Sequence, residues 1–275
     1  MKKNVINVIN PIINIIVFLI SHKSTQLIFD FFLHIILKSK GFKNFGSFSL
    51  TGEEHFLRFI NGYKLDYSLD IGANTGKYSE KIIKLTKSKV LSFEPGSDSF
   101  KELKKLEKKY LNKINVFKVA LSDKNKNVKF YSIGKNSQLA SIEKNIKKFS
   151  YVEKKKIKVS KIKCIKGDNF FKKLKLKGKI DFIKIDTEGN DYKVLLGLKK
   201  TIIKHKPKFI QFEMNWHNLF NGANIFKISS QFKDYYIYRI LPFRSGLIKI
   251  NPDHPNNNLY HLSNYVMIRK AIKIN

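Results

Sequence analysis

The chain has 275 residues, 43% of them hydrophobic, which suffices for one sizeable core with a short appendage and leaves no room for a second large domain. Lys and Arg number 54 against 21 Asp and Glu, and the formal charge of +33 raises nucleic acid or an anionic membrane surface as partners. The excess is nearly all lysine amid abundant Asn and Ile, as A/T-rich coding produces. Arginine, the usual base reader, is confined to Arg58, Arg239, Arg244 and Arg269, so nucleic acid is the weaker reading.

Met1 to Gly41 holds two apolar segments. In the first, Asn4, Asn7, Asn10 and Asn14 recur at spacings of three and four, so a helix there carries an amide stripe amid Val5, Ile6, Val8, Ile9, Ile12 and Ile13. Pro11 is expected to kink or interrupt it. The second follows Ser24 and Thr25 as caps and carries Asp30, His34 and Lys38 as a thin polar stripe among Leu27, Ile28, Phe31, Phe32, Leu33, Ile35 and Ile36. Neither supplies the roughly twenty uninterrupted apolar residues of a membrane span. No small-residue cleavage site follows Lys2 and Lys3, as a secretory signal requires. Residues 1–50 read as a helical appendage, either a membrane-surface anchor on the cytoplasmic leaflet or a lid or dimer contact, and residues 51–275 as the main domain.

A helix opens at Gly52, with Glu53 and Glu54 as first-turn acids. Tyr67 to Ile71 reads as a buried strand, Gly72 to Gly76 as a tight turn and Lys77 onward as a helix with Ile82, Ile83 and Leu85 inward. This is a strand-turn-helix cofactor corner: its glycines let the backbone approach a ligand, and free N–H groups at the helix start can meet a polar group. The spacing is Gly-x-x-x-Gly, not the dinucleotide Gly-x-Gly-x-x-Gly. Val90 to Pro95 is a second strand ending in Glu94, where a doubly wound sheet places an acid against ribose hydroxyls; the competing reading is a solvated strand end. Ser97 to Tyr110 is a crossover helix capped by Ser97 or Asp98, with Phe100, Leu103 and Leu106 buried. Ile114 to Leu121 is a third strand. Asp123-Lys124-Asn125 after it reads equally as a ligand edge or as a hairpin turn into Val128 to Tyr131.

Lys156 to Ile165 alternates charged and apolar residues, the pattern of a half-exposed strand, expected antiparallel to Val128–Tyr131. It contains the only cysteine, Cys164, which excludes an internal disulfide framework and fits a reducing, cytoplasmic compartment. Asp168 caps a short helix with Phe170, Phe171 and Leu174. In the strand Ile180 to Asp186, Lys184 and Asp186 share one face with Glu188 just beyond, either a pKa-shifting arrangement or a structural ion pair. Asp191 to His205 reads as one helix and Phe209 to Glu213 as the next strand. Parallel neighbours would bring Asp186, Glu188 and Glu213 to one rim near His217, a set suited to a divalent cation such as Mg²⁺ or to a general base. Trp216 and Phe220 are pocket walls or core. A helix Ile225–Phe232 and strands Tyr235–Leu241 and Tyr265–Ile268 close the chain, and Pro242 to Ser263 between them reads as a long lid or substrate-binding connection.

Four blocks in order, Asp70-Ile71-Gly72-Ala73-Asn74-Thr75-Gly76, Phe93-Glu94-Pro95, Ala120-Leu121-Ser122-Asp123 and Ile183-Lys184-Ile185-Asp186-Thr187-Glu188-Gly189, resemble the FkbM family of S-adenosylmethionine-dependent methyltransferases. The resemblance runs from about Gly52 to Ile268. It implies an α/β, Rossmann-like class I fold: a seven-stranded, mostly parallel sheet with a reversed last hairpin, helices on both faces, N-terminal helices and a small β insertion. It also implies cofactor contacts from Asp70, Gly72, Ala73, Asn74, Gly76, Glu94 and Pro95, adenine contacts from Ala120 or Asp123, and Glu53 or Glu54 near the methionine end. Lys184, Asp186, Glu188, Glu213 and His217 are the catalytic candidates, and the three acids among them the metal candidates. The expected reaction is O-methylation of a sugar hydroxyl in a cell-surface glycan or lipid-linked saccharide. Two alternatives are RNA methylation, for which no dedicated module or aromatic platform is visible, and a catalytically inactive, membrane-associated binding protein of the same fold.

Overall fold

The computed structural model describes residues 2–133, 140–142 and 157–274. The chain begins with α1 (Lys2–Ile20), turns by 90° between Ile20 and Lys23, and continues as α2 (Gln26–Ser39). Contrary to expectation, α1 runs through Pro11, since a single missing donor does not end a helix with bonded turns on both sides. The break comes later, where the Thr25 hydroxyl captures the carbonyls of Ile20 and His22, each at 2.7 Å. The side chains of Asn4, Asn7 and Asn10 lie outside the described residues, as does Lys156 at the start of its expected strand.

Next come α3 (Glu53–Ile60), β1 (Tyr67–Ile71), α4 (Lys77–Thr86), β2 (Lys89–Phe93), α5 (Ser97–Lys109) and β3 (Ile114–Phe117). They are followed by β4 (Ala120–Ser122), β5 (Lys126–Ile133), β6 (Ala140–Ser141), β7 (Ile157–Lys166) and α6 (Gly167–Lys173). The chain then forms β8 (Ile180–Ile185), α7 (Asp191–Gly197), α8 (Lys199–His205), β9 (Phe209–Met214), α9 (Asn218–Asn221) and α10 (Ile225–Gln231). It closes with β10 (Tyr235–Ile240), β11 (Leu247–Lys249) and β12 (Ser263–Arg269). The main sheet has the order β11-β10-β12-β9-β8-β1-β2-β3, parallel from β3 to β9, with β12 reversed against both β9 and β10. The expected doubly wound arrangement is therefore present, with β11 as an additional eighth strand inside the segment read as a continuous loop.

Strand alternation explains why the sheet is covered on both faces. Leu69, Ile71, Leu91, Phe93, Ile183 and Ile185 point into one buried layer, and Val90, Phe182 and Phe209 pack with α3 and α4 in the other. After β1 the chain steps outward to β2 and β3, then returns to β8 on the opposite side. The carboxyl ends of β1 and β8 therefore part, leaving the crevice at which open α/β sheets bind ligands.

Five local readings are corrected. The expected strand Ile114–Leu121 is two strands, because Val119 N–H bonds back to Phe117 O and ends β3; β4 then joins a second sheet of order β4-β7-β5-β6. In that sheet β7 lies between β4 and β5, so Asp123–Asn125 is not a hairpin turn, although β5 and β7 pair antiparallel as expected. The helix over 191–205 breaks at Leu198. Asp168 caps not its own helix but α8, accepting from Thr201 N–H and Oγ1, both at 2.8 Å, and from Lys200 N–H at 3.2 Å. Gly96, rather than Ser97 or Asp98, is the cap position of α5.

Candidate active site

At the carboxyl ends of β1, β2 and β8 lies a cavity of about 850 Å³. Its floor and walls come from Gly72–Thr75, Glu94–Ser99, Ala120, Leu121, Lys184, Asp186–Glu188 and Glu213, and the segment Asn44–Phe48 with Thr51 and Glu53 covers one side. Of the residues expected around a nucleoside, Gly72, Ala73, Asn74, Glu94, Pro95 and Ala120 line it, whereas Asp70, Gly76 and Asp123 do not. Each exception has a packing reason. Asp70 is fully buried and accepts from Ser79 Oγ at 2.6 Å, tying β1 to α4. Gly76, at φ 85°, is small because a Cβ there would come within 2.7 Å of Leu103 and 2.8 Å of Leu106 on α5. Asp123 follows β4 and meets the Ser122 hydroxyl at 3.2 Å. Gly72 combines both demands: it lines the cavity at φ 84°, and a Cβ would stand 1.8 Å from Asp186 O.

Glu94 is 6% exposed at the end of β2. One carboxylate oxygen accepts Asn74 N–H at 2.9 Å and the other accepts Gly96 N–H at 2.6 Å, so one side chain joins the glycine turn to the start of α5. Burial, with the Asp70 charge adding to it, pushes its pKa up to about 7 against the lowering effect of those two N–H groups.

A polar row crosses the buried sheet next to the cavity. Ser92, Asp70, Lys184 and Gln211 stand at one register level on β2, β1, β8 and β9. Lys184 Nζ donates to Asp186 Oδ2 at 2.9 Å, lies 3.9 Å from Asp70 Oδ1 and sits 4.6 Å from the Tyr78 ring centre. Burial disfavours the ammonium, but the charges of Asp186, Asp70 and Glu53 outweigh it and hold the Lys184 pKa above its ordinary value. Gln211 accepts from Tyr78 OH at 2.5 Å and donates to Glu53 at 2.7 Å, and Thr51 Oγ1 donates to Glu53 at 2.9 Å. Burial raises the pKa of Glu53. Glu54, the neighbouring acid, instead pairs with Arg58 at 2.7 Å and is off the cavity.

The third group is acidic. Asp191, its pKa raised to about 6 by burial and by the Asp186 charge, accepts from Thr187 N–H and Oγ1 and from Glu213 N–H, locking the β8–α7 turn to β9. Glu188, at φ 52°, and Glu213 both reach the cavity wall; burial and the carboxylates around them hold both pKa values well above the usual range. His217 lies outside the cavity, almost fully buried, with Nδ1 3.1 Å from Glu188 O and 3.8 Å from Glu188 Oε2. The expected gathering of Asp186, Glu188 and Glu213 into a cation site is not found: among the described residues no three His, Cys, Asp or Glu side chains are placed to hold a metal. The reason is that each acid has its own partner, Lys184 for Asp186, His217 for Glu188 and Asn215 for Glu213 at 2.6 Å. Trp216 and Phe220 are neither cavity wall nor core, being 44% and 43% exposed.

Tyr78, Gln211, Thr51 and the Asn44–Phe48 segment were not identifiable from sequence. Tyr78 and Gln211 meet 133 positions apart, and the only local sign was Gln211 itself, an amide inside an apolar strand.

The sequence matches the family described as "Methyltransferase FkbM domain" over residues 70–240. No curated protein matches the chain. Among solved structures it is similar to a precorrin-6y C5,15-methyltransferase of Geobacter metallireducens (9% identity, 79% of this chain and 89% of that one, TM-score 0.40). It is also similar to a protein of Clostridium thermocellum described as an rRNA methylase (8% identity, 83% and 100%, TM-score 0.44). A third is a protein of Streptococcus mutans described as a methyltransferase and solved in complex with SAH (10% identity, 79% and 97%, TM-score 0.43).

Proposed function

Because this chain belongs to the FkbM methyltransferase family, we propose that it transfers the methyl group of S-adenosylmethionine to a hydroxyl oxygen of a sugar, in a cell-surface glycan or a lipid-linked saccharide. The cavity fits such a donor. Its volume, about 850 Å³, is in the range of small-molecule sites. Gly72 offers backbone with no Cβ in the way, Glu94 presents a buried carboxyl for the ribose hydroxyls, and Pro95, Ala120 and Leu121 form an apolar wall for the adenine. When bound, S-adenosylmethionine supplies an electrophilic methyl carbon on a cationic sulfur.

The observation that carries the reading is the acidic inner end of a cavity in a strongly basic protein. Glu53, Asp186, Glu188 and Glu213 line it with Lys184 among them, and Lys77, Lys81 and Lys158 line other parts of the cavity. Carboxyl groups gathered at the inner end suit hydrogen bonding to the hydroxyls of a neutral sugar, which is the reason for preferring a sugar hydroxyl over RNA. An alcohol is a weak nucleophile, and its proton must leave as its oxygen bonds to carbon. We assign Glu213 and Glu188, which line the cavity, to take it once ionised, since carboxyls held above their ordinary pKa are stronger bases than exposed ones. Lys184 fixes Asp186 beside them.

Calorimetric titration with S-adenosylmethionine tests the donor half. Binding near the micromolar level, about −8 kcal/mol, and at least a tenfold loss in Glu94→Ala are expected; no binding by the parent chain rejects the reading. Transfer of labelled methyl to saccharide acceptors, against RNA and across a salt series, tests the acceptor half, because RNA binding weakens steeply with salt and binding of a neutral sugar does not.

A further inference from the structure

We infer that α1 and α2 seat the protein on an anionic lipid bilayer, entering one leaflet, with the covering segment of the cavity held directly above that surface. Ile15, Ile16, Val17 and Phe18 are consecutive and 60%, 48%, 50% and 80% exposed, so apolar side chains lie on every side of the helix except the narrow amide stripe that ends in Asn14. On α2, Phe31, Phe32 and Leu33 are 50% or more exposed in the same consecutive way, and Leu37 near its end is the residue it buries on the domain. A second protein copy covers one side of a helix, whereas a helix apolar on all but a thin polar stripe can sink into one leaflet with that stripe toward the headgroups. Among the described residues no single helix is long and apolar enough to cross a membrane, and the 90° elbow at Ile20–Lys23 suits a shallow entry and return.

Charge and connectivity select the surface. Residues 1–50 contain one acid, Asp30, whereas Lys23 at the elbow and Lys38 and Lys40 at the end of α2 are exposed where headgroups would lie. The end of α2 is fastened to the domain: Ser263 Oγ donates to Gly41 O at 2.7 Å, and the fully buried Phe42 ring lies 3.9 Å from the Arg239 guanidinium carbon. Two residues later the same segment forms the cavity wall at Asn44–Phe48, where Phe45 is 62% exposed. The bilayer-facing helices and the cavity wall thus belong to one continuous stretch of chain, fastened to the domain between them. Resting on the methyl-transfer reading, this favours an acceptor carried by a lipid over a soluble one.

The test is flotation of the full chain with vesicles of phosphatidylcholine alone or mixed with phosphatidylglycerol, beside the triple variant Phe18→Glu, Leu27→Glu, Phe31→Glu. The parent is expected to float, more with phosphatidylglycerol and less at high salt, and the variant to lose at least tenfold in bound fraction while binding S-adenosylmethionine as the parent does. A parent that stays in solution overturns the inference, as does a lipid-free dimer that the variant dissolves without changing vesicle binding. Flotation without S-adenosylmethionine binding by the parent rejects the function reading and leaves the bilayer inference standing.

Discussion

Asp70 and Lys184 stand at one register level on neighbouring strands, with Oδ1 and Nζ 3.9 Å apart, and that oxygen has no hydrogen-bond partner. The ammonium is instead drawn to Asp186 at 2.9 Å, so one cation compensates two acids. Lys184→Met would leave the fully buried Asp70 carboxylate without its cation, while the Asp186 side chain, 37% exposed, keeps access to water. The expected loss of stability is about 3–5 kcal/mol, read by urea unfolding, and adding Asp70→Asn recovers part of it. Equal losses in the single and double variants would show that the two residues do not share a charge interaction.

The Glu94 carboxyl holds its proton to about 7, against an ordinary value of 4.5. Between those values the folded protein binds more protons than the unfolded chain, so this group lowers stability as pH rises through that window, by up to about 3 kcal/mol. Glu94→Gln is therefore expected to gain stability relative to the parent above pH 7 and to match it below pH 4.5. Donor affinity moves the other way, because ribose hydroxyls donate to the ionised form: it rises from pH 6 to 8 in the parent and stays flat in Glu94→Gln. A parent profile as flat as the variant's removes Glu94 from the ribose.

The two turn glycines separate by partner. Gly72→Ala drives a Cβ into Asp186 O and is expected to prevent folding or abolish donor binding. Gly76→Ala meets flexible leucine ends on α5 at a positive φ, costing about 1–3 kcal/mol with donor binding intact in the folded fraction. Leu106→Ala added to Gly76→Ala should relieve part of the crowding. Loss of donor affinity in a folded Gly76→Ala protein would return that glycine to the ligand.

With Glu188 and Glu213 both held above the usual carboxylate range, methyl transfer is expected to rise with pH through the titration of this pair, since the base must be ionised to accept a proton. Glu213→Gln is expected to lower kcat by about 10²–10⁴ with unchanged donor affinity in calorimetry. A variant that loses donor affinity and keeps kcat places Glu213 on the cofactor instead.

What could be read in advance follows the range of the interactions. The strands β1, β2, β8 and β9 are apolar runs punctuated by Gly, Pro or an acid, so their positions and the crevice at their ends were visible. The ending of β3 was not, because it depends on a turn at Lys118 with no Gly or Pro to mark it. β11 is three partly exposed residues and takes its identity from pairing with β10. The position of Glu94 on the cavity wall was legible because strand ends are local. Gly76 was expected at the ligand, whereas in the structure the space a Cβ would need is taken by Leu103 and Leu106; sequence shows that small size is needed and not which atom demands it. Glu53 joins the cavity through Gln211, 158 positions away, a distance no periodicity encodes.

The row Ser92–Asp70–Lys184–Gln211 also bears on inheritance. Four separate strands each place one polar group at a shared level, and two helices supply Ser79, Tyr78 and Glu53 to it. A lone replacement strands a charge or an amide, so drift at these positions is expected in concerted sets. Among descendants of a common ancestor, a lineage that has exchanged Lys184 for a neutral side chain is expected also to have exchanged Asp70 or Asp186.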